Sequence, residues 1–131
     1  MKAPRPRPTP AELEILRSLW THGPSTVREV QQRIGLERPT GYTTVLKLMQ
    51  IMTDKGLLRR DDGARAHVYA AAVAEAATQQ QLVRDLVDRA FGGSASRLVL
   101  LTLAARQTSR SERLRIRELL DEIEAGPRSA T

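Results

Sequence analysis

The fold is decided by residues 40–55, which read Thr-Gly-Tyr-Thr-Thr-Val-Leu-Lys-Leu-Met-Gln-Ile-Met-Thr-Asp-Lys. Successive helical residues are turned by about 100°, so residues three and four apart share a face. The apolar face comprises Val45, Leu48, Met49 and Met52. The opposite, polar face comprises Thr43, Lys47, Gln50 and Asp54. The stretch therefore predicts a helix that packs on a core through one face.

The polar face of this helix also suits DNA. Hydroxyl, ammonium and amide groups near a helix N-terminus can hydrogen-bond to base edges and phosphates in a major groove. Taken alone, a solvated polar exterior is the commoner explanation for such a face. The sequence on either side of the helix favours DNA reading instead.

Composition points to a polyanionic partner. The 131 residues include 21 Lys and Arg against 15 Asp and Glu, which gives a formal charge of +6. Such a balance favours nucleic acid ahead of an anionic membrane, and an aromatic content of 3% argues against single-strand binding by base stacking. Duplex DNA is therefore the predicted partner.

The same totals exclude several classes of protein. The chain has no cysteine, so it has no disulfide, thiolate metal site or cysteine nucleophile. No apolar run approaches the ~20 residues of a membrane span, so no membrane insertion is predicted and the expected location is the cytoplasm.

Two helices are predicted before the central stretch. Residues 9–12, Thr-Pro-Ala-Glu, form a capping box that starts the first, and Gly-Pro at 23–24 ends it. Ser-Thr at 25–26 caps the second, with Glu29 three residues after Thr26, and Gly35 closes it. A turn-rich link at 35–41 then leads into the third helix, so the pattern predicts a helix-turn-helix.

A β-hairpin is predicted directly after the third helix. Residues 57–60 and 66–70 form two short strand-like runs around the turn residues Asp61, Asp62 and Gly63. A hairpin at this place predicts a winged helix-turn-helix over residues 9–71. The preceding residues 1–8, rich in Pro and Arg, are predicted to be a disordered basic arm.

Residues 72–126 are predicted to form three further helices, followed by a tail at 127–131. The fourth helix ends at Gly-Gly 92–93, and residues 98–103 make the fifth apolar almost all round. Since surfaces this apolar normally mark an interface, we expect a homodimer rather than packing within one monomer. The residues expected at the interface are Leu86, Phe91, Leu98, Leu101, Leu119 and Ile123.

No enzymatic site is predicted. Acidic residues are scattered over helix exteriors, and there is no nucleophile–base spacing, Gly-rich phosphate loop or metal-ligand cluster. His22 and His67 are distant in sequence and without carboxylate neighbours, so neither is interpreted as a metal ligand or base. We therefore expect no catalytic residues, no metal and no cofactor.

Several separated motifs resemble one known family. They are Trp20 and residues 25–30, 42–45, 55–58 and 65–69, together with Phe-Gly-Gly-Ser at 91–94 and Leu-Val-Leu at 98–100. In this order and spacing they are similar to the BlaI/MecI/CopY family of penicillinase-type repressors, over residues 9–125.

The resemblance implies a homodimeric winged-helix repressor that binds a palindromic operator. Base reading by the third helix is implied for Tyr42, Thr43, Thr44, Lys47 and Gln50. Contacts with the DNA backbone are expected from the wing and from the outer face of the second helix, at Arg28, Arg59, Arg60 and Arg65.

The family also implies a release mechanism, from which this chain departs. A membrane-bound metalloprotease sensor cleaves family members at an Asn-Phe-like bond in the fifth helix, where this chain has Leu101-Thr102. This difference counts against cleavage there and against a β-lactam signal. Copper-responsive members carry a cysteine-rich C-terminus, so the absence of cysteine excludes copper sensing by that route.

Two other functions share the winged module. One is a protein–protein contact module whose basic charge serves solubility alone, and a failed mobility shift at low salt would favour it. The other is a MarR-like ligand-responsive regulator. That architecture generally begins with an additional dimerising helix, whereas only eight residues precede the first helix here.

Overall fold

The computed structural model describes residues 7–35, 39–63 and 66–126. It is mainly helical with one two-stranded antiparallel hairpin, so the predicted fold class is confirmed. The elements are α1 Pro10–His22, α2 Val27–Ile34, α3 Tyr42–Asp54, β1 Leu58–Asp61, β2 Val68–Ala71, α4 Glu75–Ala90, α5 Ala95–Ala104 and α6 Arg110–Ala125. The chain divides into two compact units within α4, between Val83 and Arg84.

The helix starts predicted for α1 and α2 are confirmed as capping boxes, and α6 begins with a third box formed by Ser109 and Glu112. At α1 the Glu12 amide donates to Thr9 Oγ1 at 3.2 Å, and the Thr9 amide donates back to Glu12 Oε1 at 2.9 Å. Thr26 with Glu29 repeats both distances at α2. Each box satisfies two amides that have no partner within the helix, which fixes where the helix begins.

The first unit contains the hydrophobic core. The face of α3 predicted to pack inward is buried at Val45, Met49 and Met52, and Leu48 is partly buried against the same core. The buried apolar residues that surround this face come from α1, α2 and the hairpin, and are Ile15, Leu16, Leu19, Val27, Val30, Leu57, Leu58 and Tyr69. The α3 face opposite the core is consequently left for solvent or a ligand.

A Schellman motif connects α3 to the hairpin. The Gly56 amide donates to the Thr53 carbonyl at 3.1 Å, and the Leu57 amide donates to the Met52 carbonyl at 2.9 Å. Gly56 has φ of 85°, a left-handed conformation that favours glycine. Gly56 therefore ends α3 and turns the chain directly into the wing.

The hairpin is attached to the start of α2 by a contact that the sequence analysis missed. The Ser25 amide donates to the Tyr69 carbonyl at 2.9 Å, and the Tyr69 amide donates to the Ser25 carbonyl at 2.8 Å. The sequence favoured a capping role for Ser25 together with Thr26. Because these bonds tie the wing to the helix-turn-helix, they fix the position of the wing beside α3.

The second unit has little core of its own. Among its described residues, Val87 is the buried apolar side chain, and neither α5 nor α6 has a buried residue. Helix α4 begins at Glu75, three residues after the predicted start. Residues 1–6 of the predicted arm and the predicted tail at 127–131 lie outside the described residues. Among the described helices, none has the length and apolarity needed to cross a bilayer.

Candidate nucleic-acid interface

The outer face of α3 carries all five of the predicted base-reading side chains. Tyr42 is 45% exposed, and the other four are also exposed. They are Thr43, Thr44, Lys47 and Gln50. Gly41 is the N-cap and supplies no side-chain hydrogen bond to the first-turn amides of α3. A phosphate is a suitable acceptor for such amides.

The C-terminal end of α3 is held by an ion pair between a buried carboxylate and a partly exposed lysine. Glu12, 2% exposed on α1, accepts hydrogen bonds from Lys55 Nζ at 3.0 Å and 2.9 Å through its two carboxylate oxygens. Lys55 is the C-cap of α3, so this pair connects the two helices across 43 residues of sequence. The sequence predicted only the capping role of Glu12, because its contact with Lys55 joins residues that are far apart in the chain.

Arg28 lies on the exposed face of α2 and contacts the first residue of α3. Its guanidinium carbon is 5.7 Å from the centroid of the Tyr42 ring, within cation–π range. The residue predicted to contact the DNA backbone therefore also restrains a residue predicted to read bases.

The wing arginines differ from one another. Arg59 and Arg60 are neighbours on β1, so their side chains leave opposite faces of the hairpin. Arg60 pairs with Asp62 through Nε and Oδ1 at 2.7 Å. The Tyr69 hydroxyl and the Asp62 carboxylate raise the pKa of Arg60 above its ordinary value, because both stabilise the charged guanidinium. Arg65 lies outside the described residues.

The expectation that His67 has no carboxylate neighbour is wrong. Its Nδ1 lies 2.7 Å from Asp62 Oδ1, because the hairpin brings together residues that are separated along the strands. Asp61, by contrast, has the predicted turn role, since its Oδ1 accepts from the Gly63 amide at 2.9 Å. Across the part of the chain that the structure describes, no three potential metal ligands cluster.

A polar cleft of about 530 Å³ separates the C-terminal half of α3 from the wing. Its lining residues are Gln50, Thr53, Asp54, Arg60, Asp62 and Tyr69. The cleft brings one predicted base reader and one predicted backbone contact to the same surface. The acids in its wall would repel a phosphate unless cations offset them.

All six predicted dimer residues belong to the second unit, and they differ in how far they are exposed. Leu86, Leu101, Leu119 and Ile123 are exposed, with Ile123 at 65%, whereas Phe91 and Leu98 are partly buried. The Leu101–Thr102 bond lies inside α5, where Thr102 Oγ1 donates to the Leu98 carbonyl at 2.7 Å.

The family model described as penicillinase repressor matches residues 8–122. The chain belongs to the penicillinase repressor family. This confirms the resemblance drawn from the motifs, and it confirms that the chain is a transcriptional regulator of a DNA-binding repressor family rather than an enzyme.

Among the relatives of this penicillinase repressor family member is a protein named transcriptional regulator BlaI, found in two strains of Mycobacterium tuberculosis. Each is 30% identical over 116 residues, covering 88% of this chain and 83% of the relative.

Two solved structures similar to this family member are also of BlaI proteins. One is the solution structure of the DNA-binding domain of the repressor BlaI, 25% identical, covering 57% of this chain and 90% of that one, with a TM-score of 0.49. The other is the solution structure of Bacillus licheniformis BlaI in its monomeric form in complex with the blaP half-operator. It is 23% identical, covers 56% of this chain and 89% of that one, and also has a TM-score of 0.49.

Proposed function

We propose that the chain represses transcription as a homodimer that binds a palindromic DNA operator. The observation that carries this proposal is the division of α3 between a buried face and an exposed polar one beside the wing. A helix held in this way can enter a major groove while the wing follows the adjacent backbone.

In this proposal α3 supplies the base contacts. Lysine donates to the O6 and N7 acceptors of guanine, and glutamine pairs with the N6 and N7 of adenine, which gives Lys47 and Gln50 distinct preferences. Thr43 and Thr44 suit hydroxyl or methyl contacts near the helix N-terminus. Tyr42 lies against Arg28 at the edge of this surface.

The backbone contacts are assigned to arginines on both sides of α3. Arg28 on α2 and Arg59 on β1 are exposed, and within the described chain neither has an ion pair with a carboxylate. Arg60 contacts a phosphate only after exchanging its bond with Asp62. We also assign Arg65 to this group, from its place in the sequence.

The homodimer part rests on the exposed apolar surface of residues 84–126. Burying apolar area yields about 25 cal/mol per Å², so large exposed side chains such as Leu101, at 59%, favour association. A second copy supplies a matching surface, because a two-fold interface uses the same patch on both subunits. A dimer of this kind presents two reading helices to an operator with matching symmetry.

The proposal also includes how the repressor is released from its operator. We assign it to proteolysis caused by a membrane-bound metalloprotease sensor. Leu101–Thr102 occupies the family's cleavage position, but its departure from an Asn-Phe-like bond counts against cleavage there, so the cut site is left to experiment. Since proteases bind an extended backbone, α5 would have to unwind locally first. Mass spectrometry of the chain recovered from induced and uninduced cells tests this, and an intact chain in both refutes it.

The experiment for the proposal is selection from a random duplex library with the full chain, followed by sequencing. An inverted repeat with half-sites about 10 base pairs apart, or a multiple, is the expected result. Enrichment of no motif would refute operator recognition, and a single half-site bound by a monomer would refute the dimer.

Dimerisation is tested by sedimentation of paired variants of α6. Leu119→Glu places a charge in the expected interface, and Leu114→Glu places the same charge on a leucine of similar exposure, about 140° around the helix. We expect Leu119→Glu to shift the chain toward monomer far more than Leu114→Glu. Equal shifts, or none, would contradict the assigned interface.

A further inference from the structure

The Asp62 carboxylate lies between Arg60 and His67 in the wing. Asp62 Oδ2 accepts a hydrogen bond from Arg60 Nη2 at 3.3 Å, and Asp62 Oδ1 forms an ion pair with Arg60 Nε at 2.7 Å. The same Oδ1 lies 2.7 Å from His67 Nδ1. The contact with Arg60 is the two-pronged arrangement that a guanidinium also uses to bind a phosphate.

In the absence of DNA the Arg60 guanidinium is therefore already bound to Asp62. It lies on the face of the hairpin that carries buried Tyr69, its partner across the strands, and it lines the cleft beside α3. Arg59 leaves the opposite face and has no such carboxylate among the described residues. Of the two described wing arginines, Arg60 alone must break an ion pair to reach a phosphate.

We propose that Asp62 is a specificity-determining residue, which competes with DNA phosphates for Arg60 and so lowers binding to DNA outside the operator. This inference rests on the proposed function, because it requires the wing to lie beside the DNA backbone. The competing partner is a backbone phosphate of duplex DNA.

The physical reason is that binding to random DNA depends almost entirely on phosphate contacts. On such DNA, a phosphate that contacts Arg60 must displace Asp62 and come close to the negative charge of Asp62. This repulsion offsets the binding free energy gained from the contact with Arg60. On the operator, base contacts from α3 hold the neighbouring phosphate in place, so the exchange is effectively intramolecular and costs less. The carboxylate therefore weakens random binding more than operator binding.

The chain offers a matched control at the next position. Asp62→Asn and Asp61→Asn remove the same charge from the same hairpin end, but only Asp62 binds Arg60 and His67. Asp61 accepts from the Gly63 amide, and an asparagine oxygen can accept the same bond. A long-range electrostatic effect would appear equally in both variants.

The experiment measures affinity of the full chain for a random-sequence duplex and for a duplex selected from a library, across a range of salt. For random DNA we expect Asp61→Asn to bind about 2-fold more tightly, and Asp62→Asn about 5- to 10-fold. The salt slope of Asp62→Asn should steepen by about one phosphate contact. Its gain on selected DNA should be smaller, so the ratio of operator to random affinity falls.

A double-mutant cycle with Arg60→Gln identifies the partner. In that background we expect Asp62→Asn to gain no more than Asp61→Asn. A gain that survives Arg60→Gln, or equal gains from the two aspartates, would overturn the role of Asp62. Unchanged thermal unfolding of both variants excludes an effect through folding. Wild-type protein that binds no duplex at low salt would instead refute the proposed function, and with it this inference.

Discussion

Replacing Glu12 with alanine should destabilise the winged-helix unit by about 3 kcal/mol. The Glu12 carboxylate accepts from the Thr9 amide at 2.9 Å and from Lys55 Nζ, and it is 2% exposed. Loss of the cap costs about 1 kcal/mol. Breaking a buried ion pair costs about 3–5 kcal/mol. The Lys55 side chain is 35% exposed and can turn to water, so we assign the loss of this pair about 2 kcal/mol.

Glu29→Ala is the matched control. Glu29 accepts from the Thr26 amide at 2.9 Å in the equivalent capping box of α2, but its side chain is 52% exposed. Its removal should destabilise the unit clearly less than Glu12→Ala, because it removes only an exposed cap and an exposed ion pair with Arg33. The excess loss in Glu12→Ala therefore reports mainly on the ion pair with Lys55 that holds the end of α3.

The contribution of Glu12 should depend on pH. Burial acts to raise its pKa, but hydrogen bonds from the Thr9 backbone and from Lys55 outweigh burial and hold the pKa below the ordinary value of 4.5. A lowered pKa means that the charged form stabilises the folded state, and that this stability is lost as the pH falls through the folded value. The difference in the free energy of unfolding between wild type and Glu12→Ala should be largest at neutral pH. It should narrow as the pH falls below 4.5.

The assay is urea unfolding followed by circular dichroism, with every variant at one protein concentration because association adds to apparent stability. Equal losses for Glu12→Ala and Glu29→Ala, within about 0.5 kcal/mol, would refute the reasoning, since the ion pair would then contribute nothing. A gap between wild type and Glu12→Ala that widens in acid would contradict the assigned pKa direction.

Three further changes test other parts of the molecule. Lys47→Ala should relax base preference by about 1–3 kcal/mol in competition assays with substituted operators, and equal loss on random DNA would contradict base reading. Arg59→Gln should weaken binding to all duplexes alike and lower the salt slope by about one contact; a loss confined to one sequence would contradict a phosphate role. Gly56→Ala should cost about 1 kcal/mol in urea unfolding, since φ is 85° there, and an unchanged midpoint would contradict this strain.

The sequence determined the helix ends and their inward faces. The Thr9–Glu12 box, and the alternation of apolar and polar residues in α3, act over three or four residues, so they are readable without knowledge of the fold. The wing was equally predictable, because its strands are close in sequence and flank a turn.

Only the tertiary structure decided which side chains meet across elements. Glu12 and Lys55 are 43 residues apart, and Ser25 meets Tyr69 across two helices. Asp62 meets His67 through the hairpin register, and no local pattern specifies such a pair. Short-range preferences are fixed by backbone geometry and capping, whereas the Glu12–Lys55 and Ser25–Tyr69 pairs depend on how buried surfaces bring distant segments together, and that is settled only when the core packs.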